Sequence, residues 1–258
     1  MAGILTSTAG PVHRIELARP ERRNALSTGL MSELSDALAA VPTDAEVVVL
    51  SARGPVFSAG HDMGEMIDRD AGFYDRLFGL CTDMMLSIQR LPQPVIARVH
   101  GPATAAGCQL VASCDLAVAA DTAWFATPGV KIGLFCTTPM VPIIRAVGRK
   151  RALEMLLTGR PVDAATAASW GLVNRVVPAD ALDAAVQDFV DAITASSARV
   201  VGLGKAAFYR QVDLEVGAAY EIAEPIMAAN AALADAQEGM TAFLEKRPPR
   251  WPESGSDR

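Results

Sequence analysis

Apolar residues in this chain gather in short blocks that change period along its length. The run VVVL at 47–50 has no polar interruption, the pattern of a strand buried on both faces. Residues 12–17 (VHRIEL), 95–99 (VIARV, opened by Pro94), 116–119 (LAVA) and 172–177 (LVNRVV) also read as strands. The first of these is taken as the first strand of the chain. Residues 56–62 predict another short strand running into a turn of small residues. Between the strands the period becomes helical. Leu30, Leu34, Leu38 and Val41 share one face of a helix that Ser27 can cap and Pro42 ends. Further helices are expected over about 73–90, around Leu110, Val111 and Cys114, over 142–157 ending at Gly159, and over 163–170 closed by Gly171. From 180 to 245 the pattern is helical almost throughout and rich in Ala. Strand, helix and strand alternate through the first half, which predicts an α/β fold of stacked units around parallel strands.

Two stretches of small residues each follow a strand: SAGHD at 58–62 and AAGC at 105–108. A tight turn that opens a helix leaves backbone N–H groups without intrahelical acceptors, and the helix dipole favours negative charge there. Two such turns can donate to one oxygen. Close packing of a helix on a strand also needs small residues, so this pattern by itself leaves both readings open.

Composition narrows the field. The chain of 258 residues is 51% hydrophobic and 20% charged, as expected of a well-filled core. Its formal net charge of −6 argues against nucleic acid as a partner, though not against a phosphate-bearing small molecule in a local basic pocket. No apolar run is long enough to span a bilayer, and no secretory signal is visible. The four cysteines, Cys81, Cys108, Cys114 and Cys136, lack CxxC spacing and are expected to be reduced thiols in a cytoplasmic protein. No His/Cys/Asp cluster has metal-ligand spacing, and the glycines form no dinucleotide fingerprint.

Four pieces stand in order along the chain: RRNALS (22–27), FSAGHDM (57–63), HGPATAAGCQLVASCD (100–115) and FATPGVKIGL (125–134), followed by EGMTAFLEKR (238–247). The ordered set resembles the enoyl-CoA hydratase/isomerase (crotonase) family over residues 11–247, and within it the subgroup of the domain-containing protein 3 type. The resemblance implies a spiral of ββα units over 1–195 and a helical, trimer-forming region over 196–258, the two countable as one domain. It implies trimers, or hexamers made of two trimers, and an acyl-CoA thioester as ligand with no separate cofactor and no metal. It places an oxyanion hole at the backbone N–H groups of His61 and Ala106. It places CoA and substrate along Arg23, Ala25, Leu26, Ala59, Gly60, Asp62, Met63, Gly107, Pro128 and Leu134, with Phe243 and Lys246 closing over CoA, in some relatives across a subunit boundary. Arg suits phosphate because its charge is permanent and its donors are forked.

The chain departs from the family where the chemistry is done. The two glutamates with which hydratases of the family handle water and the α-proton correspond here to Gln109 and Gly129. Gln can orient a water but cannot take its proton, and Gly has no side chain. The loop 134–138, where some relatives keep an acid, holds no carboxylate. His61 is a candidate base, since histidine titrates near neutrality. Asp62 is read as fixing its turn, Glu65 as structural or solvated, Cys136 as a remote nucleophile candidate, and Cys108 and Cys114 as core. Three functions remain open: an enolate-stabilising hydratase/isomerase-type enzyme, an inactive acyl-CoA binder, or another reaction such as thioester hydrolysis.

Overall fold

The computed structural model describes residues 2–251. It opens with an antiparallel hairpin, β1 (Ile4–Ala9) and β2 (Val12–Leu17), turning at Gly10 with φ 56°. The strand at 12–17 is therefore the second, not the first. β1 escapes a reading by apolar blocks because only Ile4 of its six residues is buried. Helix α1 (Thr28–Ala39) follows, with the Ser27 hydroxyl accepting from Leu30 N at 3.1 Å as its cap. Then come β3 (Val47–Ala52), a short α2 (Met63–Met66), α3 (Ala71–Arg90), β4 (Val95–Val99), a two-residue β5 (Ala103–Thr104) and α4 (Ala106–Ser113). The chain continues through β6 (Leu116–Ala120), β7 (Trp124–Ala126), a 3₁₀ turn (Pro128–Ile132), α5 (Thr137–Val147), α6 (Arg149–Thr158), β8 (Val162–Asp163), α7 (Ala164–Trp170) and β9 (Arg175–Val177). Four helices end it: α8 (Leu182–Thr194), α9 (Ala198–Gln211), α10 (Val216–Ala231) and α11 (Ala234–Glu245).

The main sheet has the order β1-β2-β3-β4-β6-β9, and all pairs beyond the first hairpin are parallel. Alternation within the apolar runs divides the core. Val47 and Val49 face α8, packing with Leu182, Val186 and Val190, while Val48 and Leu50 face α1 and α3 with Leu30, Leu34 and Leu77. Both faces are buried, so polar residues have no place in VVVL. Each such side chain contributes about 1.5–3 kcal/mol.

A second, smaller layer positions the site. β5 pairs with β7, and β7 with β8. Single bridges extend it backwards, Ser58 to Ala103 and Leu26 to His61. Each turn of the spiral thus hands a backbone hydrogen bond to the next: Leu26 N to Gly60 O at 2.7 Å, Thr104 N to Ser58 O at 2.9 Å, and Ala105 N to Ala126 O at 2.8 Å.

Three expected elements differ. Residues 56–62 make only these bridges and no strand, because Phe57 N and Ser58 N both turn to the carbonyl of Pro102. The helix expected over 142–157 is two, broken at Gly148 with φ 78°, whose N–H closes α5 on Ile144 O. Of 172–177 only the last three residues pair.

The C-terminal helices are pinned by a buried cluster. Lys205 Nζ on α9 donates to Ile88 O and Gln93 O, each at 2.9 Å, and to Asp115 Oδ2 at 2.6 Å. Tyr209 OH donates to Asp115 Oδ1 at 2.8 Å. The tail from 248 is expected to fray, yet Trp251 Nε1 donates to Ala195 O at 3.0 Å and Arg250 N to Glu238. The rest of that tail, 252–258, lies outside the described residues.

Candidate functional site

The two small-residue turns meet. Gly60 has φ 87°, and a Cβ built on it would lie 2.8 Å from Ala105 Cβ, 2.9 Å from Thr104 O and 3.2 Å from Ala106 N. Only glycine allows this approach. Ala105 pays for the geometry with φ 50° and ψ −119°, a sparsely populated conformation for a residue with a side chain. Its kink starts α4 so abruptly that Ala106 N–H has no acceptor among the described residues; the first N–H of the helix to find one is that of Gln109, on Ala105 O at 3.0 Å. Gly107 lets α4 sit directly on the Ser58 carbonyl, which any Cβ would overlap. His61 N–H is likewise without an acceptor among the described residues, since the Leu26 bridge uses Gly60 O and Asp62 N instead. Two free backbone donors therefore stand on adjoining turns.

The Arg-rich loop forms the wall beside them. Arg22, Arg23, Ala25, His61, Asp62, Met63 and Gly64 line a cavity of about 330 Å³. Its shape is set by Asn24, fully buried, whose Nδ2 donates to Arg53 O and Val56 O at 2.8 Å and whose Oδ1 accepts from Arg19 N. Arg22 is tied to Asp62 at 3.1 Å, whereas Arg23 is exposed and makes no ion pair among the described residues. Ala59 binds this loop through its N–H to Arg23 O at 3.1 Å. Asp62 also caps α2 by accepting from Gly64 N.

A second cavity, of about 540 Å³, opens between α3, α4, α5 and α9, and Gln109 lines it. Gln109 is 4% exposed and its Oε1 has no hydrogen-bond partner among the described residues. Gly129 is buried, and a Cβ there would lie 2.5 Å from Leu134 O and 2.8 Å from Cys136 Sγ. The loop that follows has thus closed over position 129, where the family resemblance leads one to expect a glutamate. Pro128 begins the 3₁₀ turn that carries Gly129.

Titration follows from burial. Burial lowers the His61 pKa, partly offset by the Leu26 carbonyl and the Glu65 charge, so the imidazole is neutral near pH 7. Its Nδ1 meets Leu26 O at 3.4 Å, its ring stands edge-on to Phe78, and its Nε2 is buried without a partner. Burial pushes Cys108 up to about 12 and raises Cys136, offset there by the Gly129 N–H, so neither is a ready thiolate. Glu65 is structural: its Oε2 accepts from Thr28 N at 2.8 Å and from the Thr28 hydroxyl.

Some expected site residues lie elsewhere. Leu26 is fully buried and lines neither cavity; its backbone pairs with the His61 turn. Leu134 meets the site through its carbonyl against Gly129, while the residue itself is half-exposed. Phe243 near the end of α11 and Lys246 at its C-cap are both exposed and line neither cavity. Ser58 and Ala105 are residues that the sequence reading passed over. Ser58 Oγ donates to Asn24 O at 2.9 Å and accepts from Gly60 N, locking the turn. Among the described residues no group of His, Cys, Asp and Glu is arranged to hold a metal, and no helix is long and apolar enough to cross a membrane.

Comparison with known proteins gives one answer. Residues 7–254 match the family model for enoyl-CoA hydratase/isomerase. The chain is 48% identical over 252 residues to the mouse mitochondrial enoyl-CoA hydratase domain-containing protein 3, covering 96% of this chain and 84% of that one. A crystal structure of an enoyl-CoA hydratase of Mycobacterium smegmatis superposes with a TM-score of 0.95 at 48% identity, over 97% of this chain and 99% of that one. The crystal structure of human enoyl-CoA hydratase domain-containing protein 3 does so at 0.94 and 45%, over 97% and 100%. The architecture is therefore the crotonase fold. The mouse, human and rat relatives are all named mitochondrial, which overturns the cytoplasmic expectation drawn from cysteine usage and the missing secretory signal; reduced thiols do not distinguish those compartments. On these matches the chain belongs to the enoyl-CoA hydratase/isomerase family.

Proposed function

We propose that the protein binds an acyl-CoA thioester and stabilises negative charge on its carbonyl oxygen, as an enolate-forming hydratase/isomerase-type site stripped of its water-activating carboxylates. The observation that carries this reading is the pair of unpartnered N–H groups, of His61 and Ala106, on turns held together at Gly60. Preorganised backbone donors of this kind are worth about 10²–10³ in rate each. Arg23, exposed at the mouth and without an ion pair among the described residues, suits a CoA phosphate. No metal or further cofactor is needed for this polarisation.

The inactive-binder reading also has an observation of its own. Position 129 is sealed by Leu134 O and Cys136 Sγ, and Gln109 offers no proton acceptor of useful basicity. Binding and carbonyl polarisation are retained in this account, and ordinary hydration is lost. The helices of 196–258 present exposed apolar residues, among them Phe208, Tyr220, Met227, Phe243 and Leu244, which suit a homotrimer or a pair of trimers. In such an assembly Phe243 and Lys246 would reach a neighbour's CoA.

Calorimetry with butyryl-CoA and its thioether analogue S-butyl-CoA tests the oxyanion reading, because the two differ only at the carbonyl. The thioester is expected to bind about tenfold more tightly. Equal affinity would show that no carbonyl is held.

A further inference from the structure

His61 supplies one of the two free backbone donors, and its side chain is tied into the turn that carries that donor. The turn rests on Leu26, in the loop before α1. Leu26 N donates to Gly60 O at 2.7 Å, and Leu26 O accepts from Asp62 N at 3.4 Å. The residues on both sides of His61 are thus held by Leu26, and the imidazole adds a third tie. Its Nδ1 meets the same Leu26 carbonyl at 3.4 Å. A carbonyl oxygen can only accept, so Nδ1 carries the ring's proton in this contact. Both bonds to Leu26 O are long, so neither fixes the turn alone.

The other ring nitrogen sets a condition on this tie. Nε2 is enclosed and has no partner among the described residues, and the ring stands edge-on to Phe78 of α3 with 5.4 Å between centroids. The neutral ring keeps only a lone pair there. Protonation would put an N–H and a positive charge into that enclosure, where an unmatched donor costs about 1–3 kcal/mol and an unmatched charge more. Burial accordingly lowers the pKa of the ring. Of the charged groups that face it, Glu65 on α2 attracts the proton, but its Oε2 is held by Thr28 N and the Thr28 hydroxyl. Asp62 on the same turn is tied to Arg22, and Glu21 and Arg23 stand across the smaller cavity. α3 meets the ring with Phe78, and the neighbouring turn brings Ala105 and Ala106 against Gly60. A charged ring is matched by leaving its place for water or for Glu65, and on leaving it gives up Leu26 O.

Resting on the oxyanion reading above, we infer that the His61 imidazole is a proton-sensitive positioning residue: neutral, it steadies the turn that presents the His61 N–H to a thioester carbonyl; protonated, it lets go of Leu26 and the turn loses its hold on that carbonyl. Carbonyl binding and ring protonation then oppose each other, and by linkage each weakens the other by the same factor. This differs from a role in chemistry. A base at His61 would lose turnover on protonation without changing the affinity for a saturated thioester.

The test compares butyryl-CoA with S-butyl-CoA by calorimetry on the full-length protein, from about pH 7.5 down to the lowest pH at which circular dichroism shows the fold intact. The ratio of the two affinities cancels the titration of the CoA phosphates, which both ligands share. The thioester's advantage of about tenfold is expected at the upper end, and is expected to fall to about twofold or less as pH drops below 6.5. His61→Asn places near Leu26 O an amide donor that cannot be charged, and its ratio, whatever its size, is expected not to change with pH. A wild-type ratio that stays constant or rises over this range overturns the inference and leaves the oxyanion reading standing. An equal fall in His61→Asn overturns the assignment to this ring. Should that variant not fold, nuclear magnetic resonance of the wild-type ring replaces it: saturating butyryl-CoA is expected to lower the His61 pKa below its value with S-butyl-CoA, and equal values overturn the inference. Equal affinities at about pH 7.5 overturn the oxyanion reading, and no binding of either ligand overturns the acyl-CoA reading, the inference falling with each.

Discussion

Gly129 and Cys136 are packed so that nothing larger than hydrogen fits between them: a Cβ on Gly129 would lie 2.8 Å from Cys136 Sγ. The Leu134 carbonyl closes the other side at 2.5 Å. A glutamate at this position, which the family resemblance leads one to expect, has no room here. The backbone that follows fills the space, and placing an acid there requires moving that backbone. Overpacking of this kind typically costs about 1–3 kcal/mol. Gly129→Ala is expected to lower the melting temperature by several degrees, and Gly129→Glu to lower it further without yielding a hydratase. Scanning calorimetry of both variants checks this. An unchanged melting temperature for Gly129→Glu would mean that the loop opens freely.

The donor at Ala106 can be removed without adding bulk to the site. Ala106 is the first residue of α4, where helices tolerate proline. Ala106→Pro deletes the N–H, at some further strain to Ala105 before it. Affinity for butyryl-CoA is expected to fall to that for S-butyl-CoA, with helical content retained by circular dichroism. A folded variant that still prefers the thioester would place the oxyanion elsewhere.

Arg23 and Arg22 differ in what they are free to do. Arg22 is held by Asp62 at 3.1 Å, and Arg23 has no such partner among the described residues. Arg23→Gln is expected to weaken CoA binding about tenfold at low salt and less at high salt, with Arg22→Gln weaker in effect. Titration calorimetry at two ionic strengths measures both. Equal losses would put the phosphate between the two arginines.

Three histidines, His13 buried and His61 and His100 partly so, give stability a pH dependence. Burial lowers the pKa of His13, His61 and His100 from the ordinary value of 6.5. The unfolded chain then binds more protons than the folded one as pH falls through 6.5, so stability drops on acidification in that window and is fully present above it. The melting temperature is expected to fall between about pH 7.5 and about pH 5.5, before carboxylates titrate, and less steeply in His61→Gln. A flat profile would show that these rings titrate in the fold as they do in the unfolded chain.

Lys205 and Asp115 lock α9 to the core with every Lys205 proton used. Lys205→Met leaves the Asp115 charge buried without its partner, at a cost of about 3–5 kcal/mol. Urea unfolding measures the loss. A change below about 1 kcal/mol would mean that water reaches the pair as it reaches an exposed one.

The sequence reading reached the parts of the molecule whose physics is local. The uninterrupted apolar run at 47–50 announces a strand with two buried faces, and Ser27 followed by Leu30, Leu34 and Leu38 announces a capped amphipathic helix. β1 was out of reach because its outward residues are polar and its pairing partner lies across a turn at Gly10. The split at Gly148 was invisible because one glycine inside a helical period is compatible with an unbroken helix. At the site, the small residues of 58–62 and 105–108 could be seen, but not that the two turns approach so closely that a Cβ on Gly60 would meet Ala105 and Ala106, since that depends on distant segments. That Gln109 and Gly129 stand where the family resemblance leads one to expect glutamates could be read from the sequence; the closure of the space at 129 could not, since it depends on where Leu134 and Cys136 fall in three dimensions.

The most direct measurement pairs binding with chemistry in one sample: calorimetric affinity for crotonyl-CoA beside the rate at which its enoyl absorbance disappears. An intact oxyanion pair without water-activating carboxylates predicts clear binding with hydration at least about 10⁴-fold below that of a glutamate-bearing family hydratase assayed in parallel. Hydration within tenfold of that reference would contradict it, and would mean that a group other than residues 109 and 129 moves the protons.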